Sequence, residues 1–497
     1  MPFVSPSNLA DARPAEAQSM WVNWRLVLSQ PTAHVLFWLG CGLFVAWSFA
    51  LFYALVLRPL WLDELLHLQV ASTPWSRFFA TVTENPGGTP LTYLPQYFAV
   101  RLLDDPQLAG RLPSVLALLG TAYALRRILV DHAPRVAYVA IALLAAMPLV
   151  VRYATESRPY LALLLVSLVA TWLFQHFQTK RTWLIALAYL LTGIVGVYTL
   201  PIFLAVPCWH AAFSLWGAVG EKDRQEWRRL VLATSTAAVA ALSMVPWYLY
   251  AADAWKTTIV ELSVTSTVSA STLLQILREI TGAGYLGAAI LVPLVAAGAC
   301  SSAISRNTRI FWLIGLVVPV GFVLAVDSLF GYFFAIRQLI VILPPLVVLA
   351  AFGLQRLWSA KPNVAGACLL LTLALLVGYS LRWATSSQED WEMAALAGKG
   401  LQREAGSRLV GPGACIITKP RRVTELLAIA EPSVRSALCS SGENLKQRPA
   451  LVIVDTGYGE AIPAYREMAS TIEKDWRLYS QRKYGRMTIT GYQRVSP

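Results

Sequence analysis

Long apolar segments constrain this chain more than any other feature of its sequence. Val35–Leu57 and Ile310–Val326, for example, run without a single charged side chain. Because about 20 helical residues cross the hydrocarbon core of a bilayer, such segments predict transmembrane helices. The composition agrees, since 56% of the 497 residues are hydrophobic and only 14% are charged. Soluble domains carry about 25% charged residues, so we exclude a soluble globular protein and predict a polytopic all-α membrane protein.

The apolar segments divide into about eleven predicted transmembrane helices. The first begins late, near Ala33, and lacks the small-residue cleavage site of a signal peptide, so we interpret it as a retained anchor. The region 89–103 is compatible with a further short span. The approximate cores of the eleven are 33–57, 109–126, 136–151, 159–176, 182–198, 201–217, 230–250, 282–303, 310–328, 338–354 and 362–381.

The formal net charge of +13 follows a topological pattern. With the N-terminus in the cytoplasm, every predicted cytoplasmic turn contains Lys or Arg, as the positive-inside rule requires. An odd number of spans then places the C-terminal tail outside. We expect the membrane to be a bacterial inner (plasma) membrane and the tail to lie in the periplasm or extracellular space. Anionic membrane lipids are natural partners for this charge. We predict no nucleic-acid partner, because no basic stripe with interleaved aromatic residues is present.

The chain divides into three predicted regions. Residues 1–30 form a flexible cytoplasmic leader rich in Pro, Ser and Ala. Residues 31–382 form the transmembrane domain, in which 58–108 is the first extracytoplasmic loop with juxtamembrane helices. Residues 383–497 alternate helix-like and β-like stretches, which predicts a small extracytoplasmic α/β domain. Its predicted elements are helices at Trp391–Glu404 and Ile462–Lys474 and strands at Ala414–Thr418, Ala450–Val454 and Met487–Tyr492.

Cysteines add one expectation about the tail. Cys415 and Cys439 lie in its polar sequence. If the tail is extracytoplasmic, these two could form a disulfide, because oxidising compartments permit one. The other cysteines fall inside apolar runs and are interpreted as small buried hydrophobes.

The pair Asp63-Glu64 is the most informative polar feature. It follows the first span by about one turn and has hydrophobic residues on both sides. Acidic groups this close to hydrocarbon are unfavourable unless they are paired or hydrated. One explanation is a solvated helix start, where acidic residues favour the dipole. The other is an amphipathic helix on the membrane surface with one carboxylate facing inward, which makes both residues candidate catalytic groups.

Two further polar features fall on the same predicted outer face. Between spans three and four lie Arg152, Glu156, Arg158 and Tyr160, and Arg337 stands at the start of span ten. Their arginines could hold a phosphate with forked hydrogen bonds, or they could be interfacial anchors that snorkel to the headgroups. Lesser candidates are His67, Tyr93, Arg111 and the Gly-containing segment that begins at Glu84.

A sugar on a polyprenyl phosphate would present its leaving group at this depth. Phosphate leaves readily, so one base for the acceptor hydroxyl and cationic groups for the departing phosphate would suffice. Asp63 is our choice for the base, and Arg158 and Arg337, with Arg152 and Tyr160, for the phosphate cradle. Glu64, Glu156, His67 and Tyr93 could support the substrate. No cofactor is required, although Asp63 and Glu156 could hold a divalent cation.

At this point the sequence resembles the GT-C superfamily, and most closely its protein O-mannosyltransferases and lipid A aminoarabinose transferases. The stretches that carry the resemblance are Leu60–Glu64, Gly110–Ser114, Glu156–Tyr160 and Arg337 with Pro344. The resemblance covers roughly 30–380. It implies a GT-C fold and an inverting transferase that uses a polyprenyl-phosphate-linked sugar, with Asp63 as the base. Members use glycan, lipid or protein acceptors, so it does not fix the acceptor.

A transporter or flippase of lipid-linked saccharide is the main alternative, because it would also need many spans and a charged cavity. Transporters usually place polar residues or broken helices near mid-membrane, often in paired repeats. Here the polar groups lie at the predicted outer rim and no internal repeat is found. This distribution favours chemistry at the rim.

Overall fold

The structure is a computed structural model, and its membrane region is a bundle of long apolar helices. Residues 1–30, the predicted leader, lie outside the described part of the chain, as do Ile462–Lys474 of the tail. The structure describes residues 31–85, 87–130, 133–180, 182–220, 224–262, 270–302, 304–330, 335–386, 390–408, 415–419, 424–439, 450–455, 476–484 and 487–494.

The described helices of the bundle follow the predicted spans closely. Seven are long and apolar enough to cross a membrane, and three further pairs qualify if each bent pair is one span. The apolar helix Trp183–Thr199 is shorter and matches the remaining predicted span. The chain is therefore an integral membrane protein of the predicted class. The helices are α1 (Pro31–Phe52, continued by a π-helical turn Tyr53–Leu57), α2 (Leu62–Ser72), α3 (Trp75–Thr83), α4 (Pro90–Leu102), α5 (Pro106–Leu129), α6 (Pro134–Ala146), α7 (Pro148–Ala154), α8 (Tyr160–Lys180), α9 (Trp183–Thr199), α10 (Ala205–Gly220), α11 (Arg224–Ser243), α12 (Val245–Leu262), α13 (Ala270–Ile280), α14 (Gly284–Ala299), α15 (Arg306–Phe330), α16 (Leu343–Ala360) and α17 (Pro362–Thr385).

Three helix pairs are bent at short breaks. Two of the breaks interrupt the predicted spans 136–151 and 230–250, whereas the third lies at the start of the predicted span 282–303. The pairs α6–α7, α11–α12 and α13–α14 bend by 68°, 43° and 80°. Pro148 begins α7, and proline ends the preceding helix because it lacks an N–H and clashes with the preceding turn. The sharpest bend uses Gly282 at φ 80° and Gly284 at φ 62°, a backbone region that other residues adopt with strain. Breaks therefore occur where these residues permit them.

The first extracytoplasmic loop is built from the short helices α2, α3 and α4. The sequence allowed a further span at 89–103, but α4 has 13 residues and is therefore roughly 20 Å long, too short to cross the hydrocarbon core. It packs against α2 instead. The loop thus forms a helical layer at one end of the bundle. The largely buried span Ile336–Ala360, which contains α16, forms the bundle centre.

The tail forms a four-stranded sheet with helices. Its elements are α18 (Trp391–Arg408), β1 (Cys415–Lys419), α19 (Glu425–Ala430), β2 (Ala450–Asp455), β3 (Trp476–Tyr484) and β4 (Met487–Arg494). The strand order is β1-β2-β4-β3, with β1 and β2 parallel and the other pairs antiparallel. The sequence predicted three of these strands and missed β3. That edge strand is rich in exposed charged and polar residues, so it lacks an apolar pattern.

Candidate active site

Asp63 and Glu64 lie in the first turn of α2, where the helix dipole favours acidic side chains. Consecutive residues of a helix point about 100° apart. The two carboxylates therefore face different surroundings, although they are adjacent in sequence. Each is paired with a different arginine from a different part of the chain.

Glu64 forms a fully buried ion pair with Arg111 of α5, each side chain being 1% exposed. Two parallel hydrogen bonds join them, from Arg111 Nε to Glu64 Oε1 at 2.8 Å and from Arg111 Nη2 to Oε2 at 2.7 Å. The backbone N–H of Ser157 also donates to Glu64 Oε1, at 3.0 Å. Because both oxygens are engaged and shielded from solvent, Glu64 cannot readily take a proton from a substrate. The geometry fits a positioning residue better than the catalytic role considered from the sequence.

Arg111 extends this pair to the end of the first span. Its Nη1 donates to the carbonyl oxygens of Ala54, Leu55 and Arg58 at 2.9, 3.0 and 2.8 Å. Those carbonyls lie at the end of the π-helical turn, where backbone acceptors lack helical partners. One ion pair therefore fastens the end of α1, the start of α2 and the segment 155–159 together.

Asp63 contacts Arg158 through Oδ2 and Nη2, and this pair is partly open to solvent. The Asp63 side chain is 25% exposed and that of Arg158 is 14% exposed. Burial alone would lower the pKa of Arg158, but Asp63, followed by Tyr160 and Glu156, raises it above its ordinary value. Arg158 is therefore a permanent cation beside the carboxylate.

His67 lies one helical turn beyond Asp63 and also contacts Arg158, whose Nη1 is 3.2 Å from His67 Nε2. A guanidinium can only donate, so Nε2 accepts and the ring proton is carried by Nδ1. Burial, together with the charge of Arg158, holds the pKa of His67 well below its ordinary value. The imidazole is therefore neutral, and its ring packs 4.6 Å from that of Tyr93. Burial likewise raises the pKa of Tyr93, which keeps its phenol protonated.

Glu156 is completely buried in the segment between α7 and α8. Its Oε1 accepts from Arg152 Nε at 3.0 Å, and Oε2 is buried without a hydrogen-bond partner among the described residues. Burial raises the pKa of Glu156 despite the opposing charge of Arg152. The guanidinium of Arg58 is also buried, 3.9 Å from the ring of Trp383. Burial lowers the pKa of Arg58 to about 10 against the opposing influence of Glu156 and Glu64, so it remains charged at neutral pH.

Arg337 lies in the short 3₁₀ helix Ile336–Ile342 before α16. Its guanidinium is 6.0 Å from the ring centre of Tyr160 at the start of α8, and the Tyr160 and Tyr153 rings are 4.5 Å apart. The structure thus brings α2, the segment 155–159 and the approach to α16 to one end of the bundle.

Sequence reasoning missed Arg58 and underestimated Arg111. Arg58 stands between an apolar run and Pro59, a position typical of a cation that snorkels to the headgroups. The sequence made Arg111 a lesser candidate and part of the stretch Gly110–Ser114, yet it is one of the most buried large side chains of the described chain. The available signal was a charged residue within an otherwise apolar helix, where an unpaired charge is costly.

The side chains of the candidate site do not form a good set of ligands for a metal ion. Within the described residues, no group of three or more His, Cys, Asp or Glu side chains could hold one. Asp63 and Glu156 are engaged with different arginines, and His67 Nε2 already accepts from Arg158. We therefore derive no step through a divalent cation.

Comparison with solved structures places this geometry in a known fold. No protein-family model and no curated protein sequence matches the chain. Two crystal structures of ArnT from Cupriavidus metallidurans, one apo and one bound to undecaprenyl phosphate, are similar to it with a TM-score of 0.55 and 13% identity each. The alignments cover 96% and 93% of this chain, respectively, and 98% of each ArnT chain. Over this length the likeness shows that the chain has the ArnT fold, which is the GT-C fold that its sequence motifs predicted.

Proposed function

We propose that this protein is an inverting glycosyltransferase that moves a hexosyl or pentosyl group from a polyprenyl-phosphate-linked donor to an acceptor hydroxyl. The observation that carries the proposal is the Asp63–Arg158 pair, which is partly exposed and has Arg337 close by across Tyr160. A base next to a cationic cradle, at the end of a membrane bundle, suits a donor whose lipid lies in the bilayer. The ArnT fold supports the same conclusion, since one of the similar ArnT structures binds undecaprenyl phosphate.

In the proposed step, the acceptor oxygen bonds to the anomeric carbon on the face opposite the phosphate. The bond between that carbon and the phosphate oxygen breaks, and polyprenyl phosphate departs with the bonding electrons. Asp63 takes the proton of the acceptor hydroxyl. Attack opposite to the leaving group inverts the anomeric configuration, and no covalent enzyme intermediate is needed.

Arg158 has two partners in this scheme. Without donor its Nη2 donates to Asp63 Oδ2, so that oxygen is occupied. A donor phosphate would compete for the same guanidinium through charge-assisted hydrogen bonds. As Arg158 turns towards the phosphate, Asp63 is released to accept the proton of the acceptor. Donor binding would thereby activate the base.

The site would operate on the outer face of the membrane. This follows from the basic cytoplasmic turns and agrees with the disulfide joining Cys415 to Cys439 in the tail, because disulfides persist in oxidising compartments. Acceptors of this class are glycans, lipids or proteins of the cell envelope. No step of the proposed mechanism depends on a divalent cation.

The test combines binding and product analysis. Purified protein in lipid nanodiscs should bind undecaprenyl phosphate in native mass spectrometry, and Arg158→Gln should weaken that binding while Asp104→Asn should not. Mass spectrometry of envelope glycans, lipids and glycoproteins from cells with and without the gene should then show one sugar lost from one acceptor. Absence of any such difference, with the protein expressed and folded, would contradict the proposal.

Transport of a lipid-linked saccharide is the second candidate, and the three bent spans favour it because transporters also use broken helices. The two functions differ in their dependence on Asp63. A transferase with Asp63→Asn should still bind the lipid donor but form no product. A transporter should move labelled lipid-linked sugar across proteoliposomes without any acceptor.

A further inference from the structure

The disulfide between Cys415 and Cys439 closes a loop of the tail, and this loop contains α19. Both cysteines are buried. At the base of the loop, the backbone N–H of Cys439 donates to the carbonyl of Ile416 in β1 at 2.9 Å. Lys399 of α18 also donates to the carbonyl of Ser433 within the loop at 2.8 Å. The loop is therefore fastened to both the sheet and α18.

The helix inside this loop packs directly against α2. Leu426 and Leu427 of α19 belong to the same apolar cluster as Leu65 and Leu68 of α2. All four side chains are almost completely buried. This cluster continues into the tail through Trp391 and Ile416, so α2 shares a hydrophobic core with the C-terminal domain.

The other face of α2 carries the proposed chemistry. Asp63 and His67 lie on α2, whereas their partner Arg158 lies on the separate segment between α7 and α8. The position of Asp63 relative to Arg158 therefore depends on how α2 is seated. A base acts only within hydrogen-bond reach of the proton it removes, and a misplacement of about 1 Å can cost about 100-fold in rate.

We propose that the Cys415–Cys439 loop is a positioning element that seats α2, and with it Asp63, against the membrane domain. The disulfide restricts the loop so that Leu426 and Leu427 stay in contact with Leu65 and Leu68. The catalytic consequence rests on the proposed role of Asp63, whereas the seating of α2 can be measured without turnover. The seating of α2 by the loop and its effect on catalysis can therefore be refuted independently.

The first experiment measures hydrogen–deuterium exchange of the full-length protein in nanodiscs. The double variant Cys415→Ser/Cys439→Ser should accelerate exchange of residues 62–72 by about tenfold or more, because removal of a cross-link favours local opening. The buried helix Leu343–Ala360 should be unaffected. Cys300→Ser, at an exposed free cysteine, is the matched control and should change neither segment.

A second variant keeps the disulfide and removes one contact. Leu427→Ala should produce the same local acceleration, and Leu478→Ala, at a leucine that is 53% exposed on β3, should not. Exchange of 62–72 at the wild-type rate in both the double cysteine variant and Leu427→Ala would overturn the proposal. Acceleration that extended equally to Leu343–Ala360 would indicate general unfolding and would overturn it as well.

Kinetics complete the test where wild-type transfer is measurable. Cys415→Ser/Cys439→Ser and Leu427→Ala should each lower kcat by about tenfold or more, because the base moves. The KM for the lipid donor should stay within about twofold, because the arginines of the cradle remain in place. A loss confined to the donor KM would overturn the positioning role. If the wild type transfers no sugar, the proposed function fails, and the exchange measurement alone decides whether the loop seats α2.

Discussion

Two ion pairs made by adjacent carboxylates behave as opposites in this structure. Glu64 and Arg111 are each 1% exposed and have their polar atoms almost fully used inside the protein, whereas Asp63 and Arg158 are 25% and 14% exposed. A buried, fully bonded pair can hold segments together but cannot easily exchange partners. In a partly exposed pair, the arginine can leave its carboxylate and bind a phosphate instead. The comparison shows that two adjacent carboxylates differ in burial and in partner, which is the difference that the proposed roles of a positioning residue and a base require.

Asp63→Asn should have the largest effect on activity. Removal of the general base should lower transfer by about 10²–10⁴-fold, measured with labelled donor in nanodiscs. The free energy of unfolding should change by less than about 1 kcal/mol, because partly exposed pairs contribute little. Asp104→Asn, at an exposed aspartate, is the control. Wild-type turnover in Asp63→Asn would contradict the proposed role of Asp63 as the general base.

Arg111→Met should instead act on stability. It leaves Glu64 buried without its counter-charge and removes four hydrogen bonds to backbone carbonyls, so the free energy of unfolding should fall by roughly 3–5 kcal/mol. Denaturant unfolding in detergent measures this change. Arg127→Met, at the opposite end of the same helix, should have little effect. A stable Arg111→Met protein with normal turnover would show that the buried pair does not hold the site together.

Arg158→Gln should raise the donor KM by about tenfold or more, because a charge-assisted hydrogen bond to phosphate contributes about 1.5–3 kcal/mol. Arg337→Gln should have a smaller effect in the same direction. Arg278→Gln provides an exposed control. An unchanged donor KM in Arg158→Gln, measured over a donor titration, would argue that Arg158 serves Asp63 alone.

The smallest effect concerns His67 and pH. Its folded pKa lies well below the ordinary value of 6.5, so its contribution to stability is complete above pH 6.5 and is lost as pH falls towards the folded pKa. Acidification from about pH 7.5 to 5.5 should therefore reduce the free energy of unfolding by roughly 1 kcal/mol more in the wild type than in His67→Phe. Equal losses in the two proteins would mean that His67 does not sit neutral beside Arg158.

Sequence patterns predicted most of the membrane region and part of the tail. The lengths of the apolar segments located the spans, because every helix that crosses a bilayer must be apolar over the thickness of the hydrocarbon core. Patterns of this kind missed the bend at Pro148 inside the predicted span 136–151, since proline permits a break without requiring one. They also missed β3, whose exposed edge has no hydrophobic alternation to detect.

Within the candidate site, the sequence by itself determined which charged groups lie near the membrane boundary, because hydrocarbon tolerates so few. It identified Asp63, Glu64, Glu156, Arg158 and Arg337, and it chose Asp63 as the base while leaving the role of Glu64 open. Only the tertiary structure decided that Glu64 is enclosed by Arg111 and Ser157 while Asp63 stays accessible beside Arg158. The physical reason is that exposure and pairing depend on which distant segments pack against each face of α2, and local sequence does not encode those contacts.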